Sequence, residues 1–317
     1  MIGLLFTLSL VSFFIIELPP GDYLTLRIQQ LIVSGQEVNQ ATIESLKVQY
    51  GWGKPFIIRY GKWISGIIFK GDFGRSLQWN QSVSTLIMER LPYTVMISLL
   101  AIIVTYLTAI PIAIYSATHQ YSPIDYAITI IGFVGLATPP FLLALVVIYF
   151  LYTTLGVPVG GLFSEQYAAA PWSFGKVVDL LRHLVAPVII LGMAGTAGNI
   201  RVLRATLLDE LSMEYVDTAR LKGLPETKLI LKYPVRVAMN PMWSTIGYLL
   251  PAIVSGGTIV EVVFNLPTIG PLLLGSLKTQ DMYLAGSIVF ILTALTLVGT
   301  LLSDIILAIS DPRIRYE

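Results

Sequence analysis

The sequence predicts an all-α integral membrane protein with six membrane-spanning helices. Hydrophobic residues make up 55% of the 317 positions and charged residues only 12%, and the mean hydropathy is +0.76. A water-soluble domain of this length does not require so apolar a composition. A helix needs about 20 mainly apolar residues to cross the hydrocarbon core of a bilayer, and six charge-poor runs of that order follow one another along the chain.

The first run, residues 2–16, is short and begins without basic residues. A secretory signal peptide would carry a basic start and a small-residue cleavage site, and neither precedes the turn at Pro19 and Pro20. We therefore predict that residues 1–17 form the first transmembrane helix, with its cytoplasmic lead missing. Residues 18–90, in which aromatic and basic residues are interleaved, predict a small external lobe of short helices.

Residues 91–317 contain the other five runs and form the predicted transmembrane core. The run that starts at Tyr126 is too long for one span, and its glycine- and proline-rich end predicts a loop. Small residues at 192–198 permit a close helix approach, either as plain packing or as a moving interface. The predicted helices cover about 92–117, 124–152, 183–204, 240–261 and 283–309. Prolines expected to bend or interrupt them are Pro111, Pro139, Pro140, Pro187 and Pro251.

The distribution of lysine and arginine predicts the orientation, because these residues mark the cytoplasmic side when they lie in short loops. Seven of them lie between residues 201 and 236, and Arg313 and Arg315 follow the last run. Six spans with both regions inside also place the N-terminus inside. We expect a multi-pass protein of the cell membrane with both termini in the cytoplasm. The net charge of +1 gives no indication of a nucleic-acid partner.

Several chemistries are excluded by the residue types available. The chain has no cysteine and only two histidines, 64 positions apart, so no metal site is predicted. Each Gly-Lys pair lacks the following Ser or Thr that an ATP-binding loop needs. No run contains a chain of carboxylates or histidines for a proton relay, and no catalytic constellation is present. Any nucleotide energy must therefore come from another polypeptide.

Glu261 is the carboxylate nearest to a span, since it follows Ser255-Gly256-Gly257-Thr258 at the outer end of the fifth run. One interpretation is an interfacial carboxylate that faces water or pairs with a basic group. The other is an external gate or part of the translocation path, formed with Gly256 and Gly257. The residues alone leave both interpretations open.

A polar stretch at residues 214–241, which we call the elbow, lies between two apolar runs. Good helix formers from Asp209 to Leu221 are interrupted at Gly223 and Pro225, and they resume at Glu226, which predicts a short helix, a sharp turn and a second short helix. Glycine is the least costly residue for such a turn. Residues 205–239 form the predicted cytoplasmic loop, which either docks on a soluble partner or lies against anionic lipid.

The elbow contains Asp217-Thr218-Ala219, then three residues and then Gly223. This motif resembles the pattern Glu-Ala-Ala-x-x-x-Gly of the family of ABC importer permeases. The string from Glu214 to Leu224, EYVDTARLKGL, resembles the form in its dipeptide, oligopeptide and nickel branch. Further family motifs, in the expected order, are Leu18-Pro19-Pro20-Gly21-Asp22, Lys54-Pro55, residues 71–77, residues 89–92, Gly256-Gly257 with Glu261, Pro267 with Gly270, and Asp311-Pro312-Arg313.

This resemblance implies the type I ABC importer permease fold and, from the long outer segment, the first of two permease subunits. It implies a second homologous permease, two cytoplasmic ATPases that bind ATP and Mg²⁺, and an external solute-binding protein. The elbow is then the coupling helix that docks on an ATPase, and this chain needs no cofactor of its own. The residues carried over to that role are Asp217, Thr218, Ala219, Arg220, Lys222, Gly223 and Leu224.

The resemblance implies peptides as the transported solute, with nickel complexes or oligosaccharides as alternatives in the same type of permease. A self-sufficient secondary carrier or channel is the alternative from another class. The chain departs from the family pattern at Tyr233-Pro234. The second helix of the elbow is therefore expected to end one turn sooner than in the peptide branch of the family.

Overall fold

The computed structural model describes residues 2–17, 55–156 and 160–310 of the chain. Within these ranges all regular elements are helices, apart from a single β-bridge between Arg75 and Ser82, so the all-α prediction is confirmed there. Residues 18–54 of the predicted lobe lie outside the described residues. In chain order the helices are α1 Ile2–Glu17, α2 Phe56–Lys70, α3 Val83–Thr118, α4 Pro123–Ala137, α5 Pro140–Leu155, α6 Glu165–Ala168, α7 Phe174–Leu211, α8 Glu214–Leu221, α9 Glu226–Lys232, α10 Pro234–Ala238, α11 Asn240–Val263, α12 Ile269–Lys278 and α13 Met282–Ser310.

Three of these helices, α3, α7 and α13, are long and apolar enough to cross a membrane. The pair α4 and α5, and the two halves of α11, meet the same condition when each pair is counted as one bent span. The described residues therefore hold three candidate spans, or up to five. The predicted first span is α1, an apolar helix of only 16 residues.

The long helices extend beyond the charge-free runs from which they were predicted. Helix α3 begins at Val83 rather than near 92, and α7 begins at Phe174 rather than near 183. Charged residues need not end a helix, because lysine, arginine and glutamate are good helix formers. At the start of α7 the Ser173 hydroxyl accepts a hydrogen bond from the Lys176 amide at 3.2 Å, which is an N-cap.

The predicted helix 124–152 is two helices, α4 and α5, which meet at 98°. Pro139 and Pro140 stand at this break and have no amide hydrogen to donate to a continuing helix. The Thr138 amide bonds to the Val134 carbonyl at 3.0 Å and closes α4. The prolines were expected to interrupt a span here, and the structure adds the size of the bend.

Among the described residues the helices fall into two compact units, one formed from residues 2–17, 55–92 and 268–295 and the other from residues 93–156, 160–267 and 296–310. In the first, Phe13 stacks on Trp63 with ring centroids 5.2 Å apart. In the same unit the buried carboxylate of Asp281 accepts hydrogen bonds from the Ser76 hydroxyl at 2.5 Å and from the Gln78 amide at 3.1 Å. These bonds fasten the loop before α3 to the start of α13.

The second unit packs parts of α3, α5, α7 and α11 around a buried apolar core that includes Ile97, Leu184 and Phe264. Helices α11 and α13 approach backbone to backbone, because a Cβ atom on Gly247 would lie 2.4 Å from the carbonyl carbon of Gly299. Only glycine permits this separation. The elbow belongs to this second unit, so its attachments to the long helices can be followed there.

Candidate functional site at the elbow

The elbow turns at Gly223, between α8 and α9. Its φ angle is +75°, which confirms the predicted left-handed turn, and its amide donates to the Arg220 carbonyl at 2.9 Å. A Cβ atom at this position would meet nothing within 4 Å. Glycine is therefore required by the backbone conformation and not by lack of space.

The inner faces of α8 and α9 pack against each other. Val216 and Leu229 are completely buried, Ala219 is nearly so, and Leu224 and Tyr233 pack at the edge of this cluster. Burial of these side chains holds the two short helices together, since helices of this length are not stable alone in water. The elbow is thus a compact knuckle with its own small core.

The outer face of the elbow carries an exposed ionic clamp. The Arg220 guanidinium donates to Asp217 on the same helix at 3.0 Å and to Glu226 on α9 at 2.8 Å. The hydrogen bond to Glu226 raises the pKa of Arg220, and the same bond lowers the pKa of Glu226. The clamp spans the turn at Gly223 and links the two helices. Beside it the Leu221 side chain is 89% exposed.

A groove of about 720 Å³ runs along the elbow. Its charged residues are three cations, Lys222, Lys232 and Arg236, and one anion, Glu210, so the groove is basic. The other lining residues are Met213, Tyr215, Thr218, Ala219, Leu224, Tyr233, Val237 and Ser310. A groove with this mixture of apolar and basic residues suits a protein partner that offers apolar and acidic groups.

The far end of the elbow, helix α10, is anchored to the long helices. The Arg236 guanidinium donates to the carbonyl of Ser310 at 2.8 Å, at the end of α13. The Thr206 hydroxyl of α7 donates to the Ala238 carbonyl at 2.9 Å. The Tyr106 hydroxyl of α3 donates to the Met242 carbonyl at 2.8 Å, just beyond α10. A displacement of the elbow would therefore reach three long helices through short contacts.

The structure corrects the predicted bounds of the elbow. Residues 205–211 continue α7, so the first short helix begins at Glu214 and not at Asp209. The second ends at Lys232, as the departure at Tyr233 suggested, but a further short helix, α10, follows at once. Pro234 explains this arrangement, because proline cannot continue a helix but fits its first turn.

The seven residues carried over to the coupling role do lie together, on α8 and the turn after it. Asp217, Thr218, Arg220, Lys222 and Gly223 are exposed, whereas Ala219 is buried and Leu224 is half-buried. Ala219 and Leu224 therefore shape the knuckle from inside. The surface available to a partner includes the exposed five and Leu221, which the motif comparison did not select.

The predicted gate residues lie elsewhere, on α11. Gly256 is sixteen residues after the start of that helix, about 24 Å along its axis. Gly257 is buried, and a Cβ atom there would lie 2.7 Å from the Leu191 side chain, so it permits close packing. Glu261 is only 1% exposed, so the interpretation that it faces water is wrong. A gating role for these three residues stays a prediction.

A buried polar cluster in the same unit was missed from the sequence. Asp125, at the start of α4, accepts hydrogen bonds from the Ser116 hydroxyl and from the Arg204 guanidinium, the latter at 2.9 Å. The Tyr121 amide donates to the same carboxylate at 3.0 Å. Arg204 was counted only as a loop cation, and nothing local in the sequence links it to a carboxylate 79 residues away. In the described ranges no group of three or more histidines and carboxylates offers a metal site.

Comparison with known families matches nearly the whole chain. Residues 109–316 match the family described as binding-protein-dependent transport system inner membrane component. Residues 1–99 match the N-terminal region of such membrane components.

Individual relatives agree with the family match. The chain is 34% identical to the oligopeptide transport system permease protein AppB of Bacillus subtilis, over 99% of this chain and 96% of the relative. It is 31% identical to a putative peptide permease protein of Brucella suis, with the same coverage. It is 27% identical to a putative peptide transport system permease protein of Brucella abortus, over 100% of this chain and 96% of the relative.

Proposed function

This chain belongs to the family of binding-protein-dependent transport system inner membrane components, and on that premise we propose that it is a permease subunit of an ATP-driven peptide importer. The observation that carries the proposal is the 34% identity to an oligopeptide permease over 99% of this chain. The matched region covers the elbow, the spans and the outer segment together. The chain provides the path through the inner membrane and performs no chemical reaction.

The proposed energy input is the elbow, which acts as the coupling helix. Its outer face docks on a cytoplasmic ATPase, and closure of the ATPases around ATP and Mg²⁺ moves it. The inner core of Val216 and Leu229 makes the elbow move as one body. Two contacts pass that movement to the long helices. Arg236 contacts the end of α13, and Thr206 of α7 contacts Ala238 at the C-terminal end of α10. Rigid-body gating of this kind needs no nucleotide site in the permease.

The proposed topology has six spans, with α1 as the first and both chain termini in the cytoplasm. The elbow and the basic tail then lie on the same side of the membrane as the ATPases. Residues 18–90 form an external lobe in this arrangement. The partners of the assembled system are a second homologous permease, two ATPases, an external solute-binding protein and the surrounding lipid.

Peptides are the proposed solute because the relatives at 34% and 31% identity are named as oligopeptide and peptide permeases. In the proposed system the separate binding protein delivers the peptide, and the permease admits it when the ATPases close. Nickel complexes and oligosaccharides are the other solutes that the sequence resemblance allows, and they become arms of the experiment.

Reconstitution tests the proposal. The chain is co-expressed with candidates for the second permease, the ATPases and the binding protein that are encoded by neighbouring genes. The purified complex is then reconstituted in liposomes. We expect the chain to co-purify with ATPase subunits and to take up labelled peptides only when ATP and the binding protein are both supplied. Uptake of a nickel complex or an oligosaccharide, but of no peptide, would redirect the substrate. Uptake by the chain alone would show a self-sufficient carrier and contradict the proposal.

A further inference from the structure

A recess of about 280 Å³ opens between α4 and α7, and it contains a cation that no part of the coupling role uses. Its walls are mainly apolar and include Phe133 and Ile200, with Ser116 and Thr129 as neutral polar groups. The cations that line it are Arg201 and Arg204. Arg204 forms an ion pair with Asp125, so Arg201 is the cation of the recess that is available to a ligand.

The position of Arg201 along α4 and α7 follows from the register of the two helices. Arg204 on α7 pairs with Asp125 on α4. Gly132 lies seven residues after Asp125 on α4, and Ala197 lies seven residues before Arg204 on α7. A Cβ atom added to Gly132 would lie 3.9 Å from the Cβ of Ala197. The helices therefore run antiparallel, and the second contact lies about 10 Å deeper than the ion pair.

The Arg201 guanidinium points toward the deeper contact. It lies over the ring of Phe133, 5.0 Å from the centroid, and side chains of α7 lean toward the N-terminal end of that helix. The charge is thus one to two turns farther into the helix pair than the Arg204–Asp125 pair. The residue is exposed, and within the described parts of the chain no carboxylate forms an ion pair with it.

A charged guanidinium is costly if it faces lipid chains. Such a group persists where it faces a water-filled cavity or an anion, and intramembrane charges of this kind mark transport paths. Arginine also presents two parallel N–H donors that match a carboxylate. The apolar wall beside Phe133 then suits an organic anion with an apolar neighbour rather than a small inorganic ion.

We propose that Arg201 lies on the translocation path and binds the C-terminal carboxylate of the transported peptide. This inference rests on the proposed function. The neighbouring pair Asp125–Arg204 holds α4 and α7 in the register that keeps the recess open.

The experiment uses the complete complex in liposomes and a peptide pair that differs only in having a free or an amidated C-terminus. Both peptides are chosen to bind the separate binding protein, and uptake is measured with that protein saturated by each. We expect Arg201→Gln to lower uptake of the free-acid peptide about tenfold and to leave uptake of the amide unchanged. Arg201→Lys, which keeps the charge but not the paired donors, should lose a smaller part of the preference. Arg182→Gln, on the same helix, is the matched control and should retain it.

Two results would overturn the inference. The first is an equal effect of Arg201→Gln on both peptides, or no effect on either, in a complex whose assembly and thermal stability match the wild type. The second is an effect that disappears in liposomes without anionic lipid, because it would assign Arg201 to a lipid headgroup. If Arg201→Gln fails to assemble, the same pair of peptides is compared with Arg201→Lys, where an unchanged preference contradicts the inference.

A negative result for Arg201 can be distinguished from failure of the proposed function. A variant that keeps ATP-driven peptide uptake but shows no change in the preference for a free carboxylate removes only the role of Arg201. A wild-type complex that takes up no peptide with ATP and the binding protein removes the proposed function itself.

Discussion

Two arginine–carboxylate pairs of almost equal length lie in very different surroundings. Arg204 contacts Asp125 at 2.9 Å, and these side chains are 30% and 5% exposed. Arg220 contacts Glu226 at 2.8 Å, and these side chains are 42% and 55% exposed. The first pair joins α7 to α4, which are distant in sequence, whereas the second joins the two short helices of the elbow.

The difference in exposure distinguishes a pair that holds long helices together from a pair that lies on a contact surface. A buried pair has already lost its water, so removal of one member leaves a charge without solvation. An exposed pair exchanges readily with water and contributes little to stability. The Arg204–Asp125 pair therefore holds α7 against α4, which the elbow is proposed to move, and the Arg220–Glu226 pair leaves its groups available to the proposed partner protein.

The largest expected effect is on the buried pair. Asp125→Ala should destabilise the protein by about 1.5–3 kcal/mol, because the half-buried Arg204 guanidinium loses its charged hydrogen-bond partner. The double variant with Arg204→Met should recover much of this loss. Thermal unfolding of the detergent-purified complex measures both, and Arg220→Gln is the matched exposed control, for which little change is expected. A melting temperature for Asp125→Ala equal to the wild type would remove the distinction between the two pairs.

The second effect concerns the turn of the elbow. Gly223→Val must adopt a positive φ angle, which costs roughly 1–3 kcal/mol for such a residue, so we expect strongly reduced coupling of ATP hydrolysis to uptake. Gly223→Asn is the matched variant, since asparagine tolerates that conformation, and it should keep much more activity. The measurement is ATPase stimulation by the loaded binding protein. Equal loss in both variants would point to a steric role at the docking surface instead of a conformational one.

A smaller effect is expected at the anchor between the elbow and α13. Arg236→Gln removes the donor to the Ser310 carbonyl, which leaves an end of that helix uncapped at a cost of about 1 kcal/mol. Uptake per ATP hydrolysed should fall while basal hydrolysis is kept. Lys228→Gln, on the exposed side of α9, is the control for loss of one positive charge. An unchanged transport ratio in Arg236→Gln would show that movement does not pass through this contact.

The smallest effect is a pH response of the elbow. Because its pKa is lowered in the folded state, Glu226 stabilises the clamp fully above its ordinary value of about 4.3, and this contribution is lost as the pH falls through the lowered pKa. A spin label on Lys228→Cys should become more mobile as the pH drops below that value. The same label with Glu226→Gln serves as control and should not respond. Equal responses would assign the change to another group.

Local features of this chain could be predicted from the sequence, whereas long-range pairs could not. Gly223 is required by the backbone conformation of one residue, and the break at Pro139 follows from the missing amide hydrogen-bond donor of proline. Both can therefore be predicted from a few neighbouring residues. The partner of Arg204 is 79 residues away, and no pattern in a single sequence joins them. One of the two interpretations placed Glu261 at a water-facing surface because carboxylates are rarely buried, but the residue is only 1% exposed.

The docking of the elbow is tested most directly by a photo-cross-linker attached to single cysteines, since the chain contains no natural cysteine. Leu221→Cys places a benzophenone on the outer face of the elbow, and Phe174→Cys places it at the opposite end of α7, where the side chain is 85% exposed. In the assembled transporter we expect Leu221→Cys to cross-link to an ATPase subunit and Phe174→Cys to give no such product. An ATPase adduct from Phe174→Cys and none from Leu221→Cys would contradict the assignment of the elbow as the energy input.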